Sequence, residues 1–340
     1  MPTEQSVIAR RDGRAGRILL NRPKALNALD LAMIRSLTRV LAEWHDDPQV
    51  HVVVIEGAGD RAFCAGGDIR ALRDNQLNGN RPAVDAFFTE EYALNRMIAT
   101  YPKPYVALID GICMGGGIGV SVHAPYRVAS EHAMFAMPET AIGFFPDIGA
   151  TFFLPRLPGR IGTYLGLTGA RIQGADAVHA GLATQFTPRT QLAALSRALA
   201  EDGAGALAEY ATPLPAFSLV AQRATLDRCF AAGTVPEIVQ RLESEGGDWT
   251  KRTLDMLRGV SPSALCWTLK ALQRGAGMTL PQALDAEFAL THTTMRHPDF
   301  AEGVRAMVVD KDRTPHWSPA RVEGVVAADI AALFAGTAAR

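Results

Sequence analysis

The stretch Ile109-Asp110-Gly111-Ile112-Cys113-Met114-Gly115-Gly116-Gly117-Ile118-Gly119 sets the tightest limit on what this chain can fold into. An apolar run, Tyr105 to Ile109, leads into it and reads as a strand. A run from Ile118 to His123 leaves it and reads as a helix. Three consecutive glycines at that junction carry no Cβ, so a backbone N–H can come close to another group. The following helix turns its unpaired N–H groups and its positive end to the same spot. Such a corner suits negative charge developing on an oxygen. For the triplet alone, a tight strand-to-helix turn is the other reading.

The remaining chain decides what surrounds that corner. With 340 residues, 48% of them apolar, it can form one large domain, or a domain with an appendage, around a substantial core. A formal net charge of −1 gives no global pull toward nucleic acid or membrane. Cys64, Cys113, Cys229 and Cys266 are widely spaced, with no CxxC pair, so reduced thiols in the cytoplasm are expected and a zinc site is not. Met1 to Arg11 has no apolar leader-like core, and no apolar run reaches bilayer length.

Val7 to Arg10 and Arg17 to Leu20 read as strands around an Asp12-Gly13 turn. Asn27 is expected to cap a helix with Asp30 in its first turn, and Leu31, Ile34, Leu37, Leu41 and Trp44 mark its apolar face. His51 to Ile55 is apolar enough for a strand buried on both faces. Arg61 to Arg70 is a second glycine-bearing loop before a helical run, and Asn75 to Arg81 reads as a polar, mobile loop that could close over a ligand. Val84 to Tyr101 reads as a long helix stopped by Pro102-Lys103-Pro104. Tyr126 to Ala129 and Ala133 to Ala136 are short strands, and Pro138 to Leu154 is an apolar loop carrying two acids. Gln191 to Tyr210 reads as one helix, and Pro213 and Pro215 mark a boundary between residues 1–212 and 213–340. Almost everything beyond reads as helical. Alternating strands and helices followed by helices alone predict an α/β core with a helical C-terminal portion.

Two glycine loops are then in hand, Phe63-Cys64-Ala65-Gly66-Gly67-Asp68 and Met114-Gly115-Gly116-Gly117, with Gly67 and Gly116 49 residues apart. The pair resembles the crotonase (enoyl-CoA hydratase/isomerase) superfamily, as does Asn21-Arg22-Pro23-Lys24-Ala25-Leu26-Asn27-Ala28-Leu29. The run Phe135 to Gly149 and the C-terminal Asp299 to Ala306, Asp310-Lys311-Asp312 and Trp317 are similar to its 3-hydroxyisobutyryl-CoA hydrolase branch. The resemblance extends from about Val7 to Trp317 and implies a spiral of ββα units.

It also implies a chemistry. The backbone N–H groups of Gly67 and Gly116 would hold the thioester oxygen, where a preorganised donor is typically worth about 3–4 kcal/mol. Glu139, among Phe135, Met137, Ile142 and Phe144, sits where an apolar pocket makes a carboxylate a better base. The resemblance gives Glu139 the activation of water or a direct attack on the thioester, and gives Asp147 the substrate's 3-hydroxyl. It places Glu91, Lys24, Ala65 and Asp68 against the substrate, although Glu90 beside Glu91 leaves that assignment open by one residue. Helix capping, a salt bridge or a solvated face are the structural readings of these acids. Lys311 and Arg305 read either as contacts for the CoA 3′-phosphate or as a salt-bridged face.

One absence is informative. Hydratases of this superfamily carry a glutamate three positions after the oxyanion-hole glycine, and here that position is Gly119. Hydration would lose a partner carboxylate there, while an isomerase can run on one, and the resemblance implies hydrolysis of a short 3-hydroxyacyl-CoA, a step of valine breakdown, ahead of both. A non-catalytic acyl-CoA-binding or RNA-binding scaffold is the reading from another class. There is no G-x-S-x-G, so a serine elbow is not expected. His123 reads as a core histidine, and Cys64 and Cys113 as small buried hydrophobes. No metal and no cofactor are expected, since CoA enters as part of the substrate. The expected partners are an acyl-CoA and, by analogy, further copies of the chain, with neither nucleic acid nor membrane.

Overall fold

Val52–Gly57 and Tyr105–Ile109 are apolar along nearly their whole length, and such strands become the buried middle of a sheet. In the computed structural model, which describes residues 5–335, they pair in parallel, Val54 opposite Val106. Among the described residues six strands form this sheet, in the order Val7–Asp12, Ala15–Leu20, Val52–Gly57, Tyr105–Ile109, Tyr126–Ala129, Gln185–Phe186. The first pair is the antiparallel hairpin expected around Asp12-Gly13. A second sheet runs Ala62–Cys64, Ile112–Met114, Met134–Ala136, Ile172–Gln173. The chain thus makes a strand in the first sheet, turns, makes a short strand in the second, and enters a helix. That repeat is the ββα spiral.

The helix Leu31–His45 buries Met33, Ile34, Leu37, Val40, Leu41 and Trp44, the face its spacing predicts. Its cap is Asp30, whose carboxylate accepts the Met33 N–H at 2.8 Å, and not Asn27. Asn27 is fully buried in the left-handed region (φ +56°). Its amide donates to the carbonyls of Ala58 and Ala62 and accepts the Arg22 N–H. Asparagine tolerates this backbone because its short amide bonds locally. The expected loop at Asn75 to Arg81 is also shorter than read: the helix Ile69–Leu77 runs into it and the helix Arg81–Ala99 begins at its end. Gly203 divides the expected helix after Gln191 into Arg189–Asp202 and a 3₁₀ segment, Gly203–Tyr210.

The described residues gather into two compact units, neither continuous in sequence. The first holds the chain up to Asp68, Ala86–Phe135 and Arg171–Ser218, and therefore the six-stranded sheet. The second holds Ile69–Asp85, Ala136–Ala170 and the chain from Leu219. Several of its helices start on well-formed caps. Thr234 with Glu237 and Thr279 with Gln282 make reciprocal capping boxes, and Ser261 accepts the Ala264 N–H. No helix among the described residues is long and apolar enough to cross a membrane.

Candidate active site

In the first unit the two glycine loops meet. Leu29 bridges Gly67 in parallel: its N–H donates to the Gly66 carbonyl, and Asp68 N–H donates to the Leu29 carbonyl, both at 2.8 Å. This pattern turns the Gly67 N–H away from Leu29. Ala65 N–H donates to the Leu26 carbonyl, and Arg22 pairs with Asp68 at 3.2 Å, so residues 26–29 and 65–68 are laced together. The helix Gly116–Val122 starts after Gly115, and its opening N–H groups have no partner within the helix.

Cβ atoms are excluded here. One on Gly117 would stand 2.2 Å from the Cys64 carbonyl oxygen. One on Gly116 would stand 3.4 Å from the Gly67 nitrogen and 2.6 Å from a carboxylate oxygen of Glu91. Gly67, Gly116 and Glu91 are therefore within touching distance. Glu91, on the helix Arg81–Ala99, is 2% exposed. Glu90 points elsewhere and makes a two-pronged pair with Arg35 at 2.7 and 2.8 Å, which holds its carboxyl below the usual range. The geometry separates the two neighbours that the sequence left open.

Burial pushes the Cys64 thiol up to about 12 and the Cys113 thiol well above its ordinary value. Neither is a poised nucleophile. His123, at the end of the helix Gly116–Val122, is half-buried rather than a core residue. Lys24 is exposed on the 3₁₀ turn Pro23–Ala25, and Ala65 is half-buried beside Gly67.

In the second unit Glu139 and Asp147 are both buried, at 7% and 6% exposure. Pro138 to Leu154 is not a plain loop: Glu139–Ile142 is a 3₁₀ turn and Ala150–Phe153 a turn of α-helix. Their apolar neighbours along the chain, Met137, Phe144, Phe145 and Ile148, are buried with them. The Glu139 turn is held from the C-terminal helices. Ser261 N–H donates to the Thr140 carbonyl (3.1 Å) and Trp267 Nε1–H to the Phe144 carbonyl (3.3 Å). The Asp299 backbone packs so closely on Gly143 that a Cβ there would lie 2.3 Å from it. Asp299, fully buried, accepts from the Ser261 hydroxyl (2.5 Å) and the Ser318 N–H (2.8 Å). The C-terminal motif thus supports the Glu139 turn. Arg305 of that motif is taken up by Glu302, Asp310, Asp312 and the Thr314 carbonyl, the salt-bridged face.

One residue of this region had no signal in the sequence. Glu287, 1% exposed, accepts from the N–H groups of Gly149 and Thr151 and from the Thr151 hydroxyl. Only its midhelix position among Ala283, Leu284 and Leu290, all buried, could have marked it.

Two glycine loops in close contact on a ββα spiral, with an acid against one of them, define a class. The sequence pattern of the enoyl-CoA hydratase/isomerase family matches residues 15–334, and the chain belongs to that family, the crotonases. Its relatives within the family are more particular. It is 46% identical to a Xenopus laevis protein named 3-hydroxyisobutyryl-CoA hydrolase, mitochondrial, over 96% of this chain and 88% of that one. It is 43% identical to the Homo sapiens protein of the same name, over 96% and 87%. Among solved structures, a carnitinyl-CoA dehydratase from Mycobacterium thermoresistibile is similar at a TM-score of 0.94 and 38% identity, covering 98% and 97% of the two chains. An enoyl-CoA hydratase from Rhodobacter sphaeroides is similar at 0.92 and 43%, covering 97% of each.

Proposed function

We infer that this chain hydrolyses the thioester of 3-hydroxyisobutyryl-CoA to 3-hydroxyisobutyrate and free CoA, a step of valine breakdown. The observation that carries the reading is the 43–46% identity to hydrolases of that name over nearly the whole chain. Gly119, where a hydratase would carry its second glutamate, supports it against hydration.

The thioester oxygen accepts from the N–H groups of Gly67 and Gly116, which strengthen as negative charge gathers on it. Glu139 drives the attack on the carbonyl carbon, as the base that takes a proton from water or as the nucleophile itself. In the second case water opens the resulting anhydride. Either way a C–O bond replaces the C–S bond, and sulfur leaves as the CoA thiolate. Asp147 receives the 3-hydroxyl, Glu91 contacts the acyl group beside Gly116, Ala65 and Asp68 line the Gly67 loop, and Lys24 meets the pantetheine or pyrophosphate region of CoA. Four free cysteines support a reducing compartment, which the cytoplasm supplies and so does the mitochondrion named for the vertebrate relatives.

Thiol release from a panel of short acyl-CoAs tests the reading. Release is expected to be fastest with a 3-hydroxyacyl substrate, and Glu139→Gln to lower turnover by roughly a hundredfold or more. Robust hydration of crotonyl-CoA with negligible thiol release would sink the assignment.

A further inference from the structure

We propose that Glu287 is the positioning residue for Asp147: its carboxyl group clamps the backbone just beyond a left-handed turn and so fixes the direction in which Asp147 points. The proposal rests on the reading of Asp147 as the contact for the substrate's 3-hydroxyl.

Two independent observations carry it. The first is backbone geometry. Ile148 has φ +55° and Gly149 φ +86°, so two successive residues after Asp147 are left-handed. Glycine takes that region freely. A β-branched isoleucine does not, so it persists there only where the surroundings enforce it. Ile148 is 1% exposed and cannot relax toward solvent.

The second is what grips the turn. Glu287 Oε2 accepts the Gly149 N–H at 2.7 Å, and Oε1 accepts the Thr151 N–H at 2.9 Å and the Thr151 hydroxyl at 2.6 Å. Ala150 N–H closes the turn onto the Asp147 carbonyl at 2.9 Å. Three bonds to one carboxyl group, immediately after the strained residue, are the enforcement that Ile148 requires. A helical turn of four residues, Ala150–Phe153, does not by itself call for a buried glutamate, which is costly to desolvate. Asp147 is also close enough for its charge to act on the Glu287 carboxyl.

The test uses the full chain with 3-hydroxyisobutyryl-CoA and isobutyryl-CoA as paired substrates, and reads the ratio of their kcat/KM values. Asp147→Asn is expected to lower the ratio by roughly tenfold or more, the scale of losing a hydrogen bond to a charged group. Glu287→Gln keeps the shape but turns an amide nitrogen, which cannot accept, toward one of the N–H donors. It is expected to lower the ratio by roughly fivefold, through a raised KM for the hydroxylated substrate, with isobutyryl-CoA turnover within about threefold of wild type. An Asp147→Asn ratio equal to wild type would remove the hydroxyl contact, and the proposal with it. A lowered Asp147→Asn ratio beside an unchanged Glu287→Gln ratio overturns the proposal alone, and so does a parallel loss on both substrates. If Glu287→Gln shows no cooperative thermal transition, Thr151→Val decides. It keeps both N–H bonds and should lower the ratio by about twofold. A wild-type ratio there overturns the proposal.

Discussion

The glycine loops of the first unit and the acidic loop of the second are built in opposite ways. Around Gly67 and Gly116 the main chain supplies everything: ladder bonds to Leu29 aim one N–H, and a helix start aims the other. Side chains enter mainly as limits on space, as with Cys64 behind Gly117. Around Glu139 and Asp147 the groups proposed to react are side chains, and their backbone is held by residues more than a hundred positions away, Ser261, Trp267 and Glu287. A site made of backbone is local and tolerates no added atom. A site made of side chains is assembled from afar and can be loosened one bond at a time.

That contrast can be broken first where it is most rigid. Gly117→Ala drives a methyl group to 2.2 Å from a carbonyl oxygen that cannot rotate away. Overpacking of this kind costs about 1–3 kcal/mol, so a clear drop in the thermal midpoint is expected. Gly116→Ala meets the end of a movable Glu91 side chain, so it should keep most of its stability while losing thiol-release activity. Equal thermal losses in the two variants would show that the Gly117 contact is not the stiffer one.

A smaller effect sharpens the other half. Burial pushes the Glu287 carboxyl up to about 8; the Thr151 hydroxyl and the two N–H donors pull it down, while the charge of Asp147 pushes it up. With its folded value above the ordinary 4.5, the folded protein binds that proton more tightly than the unfolded chain does. The resulting stability is fully present below about 4.5 and is lost as pH rises through about 8. Glutamine does not titrate. The midpoint of wild type minus that of Glu287→Gln should therefore shrink between pH 5 and pH 8.5, and a flat difference would contradict it. The smallest effect belongs to the exposed pair. Glu90→Gln breaks its link to Arg35 yet should leave thermal midpoint and turnover essentially unchanged. Glu91→Gln, one residue on, should lower turnover, which a thiol-release assay reads directly.

Legibility followed the same division. The apolar strands, the helix carrying Met33 to Trp44 and the glycine loops are short-range patterns, and each stood in the sequence at its place in the fold. Asn27 misled because asparagine serves helix caps and left-handed turns equally, and only the carbonyls of Ala58 and Ala62 select the turn. Nothing in the composition marks the two units, because their segments interleave along the chain.

The family resemblance supplied the ββα repeat and the meaning of Gly119; by itself the sequence determined the alternation of strands and helices, the two glycine loops and the acids at Glu139 and Asp147. These depend on periodicity, on the bare glycine backbone and on the chemistry of single side chains, all local properties. Only the tertiary structure decided that Glu91 and not Glu90 lies against Gly116, and that Glu287 holds the turn beside Asp147. Those outcomes turn on which buried polar group finds which partner. Long-range packing sets that pairing, and no window along the chain contains it.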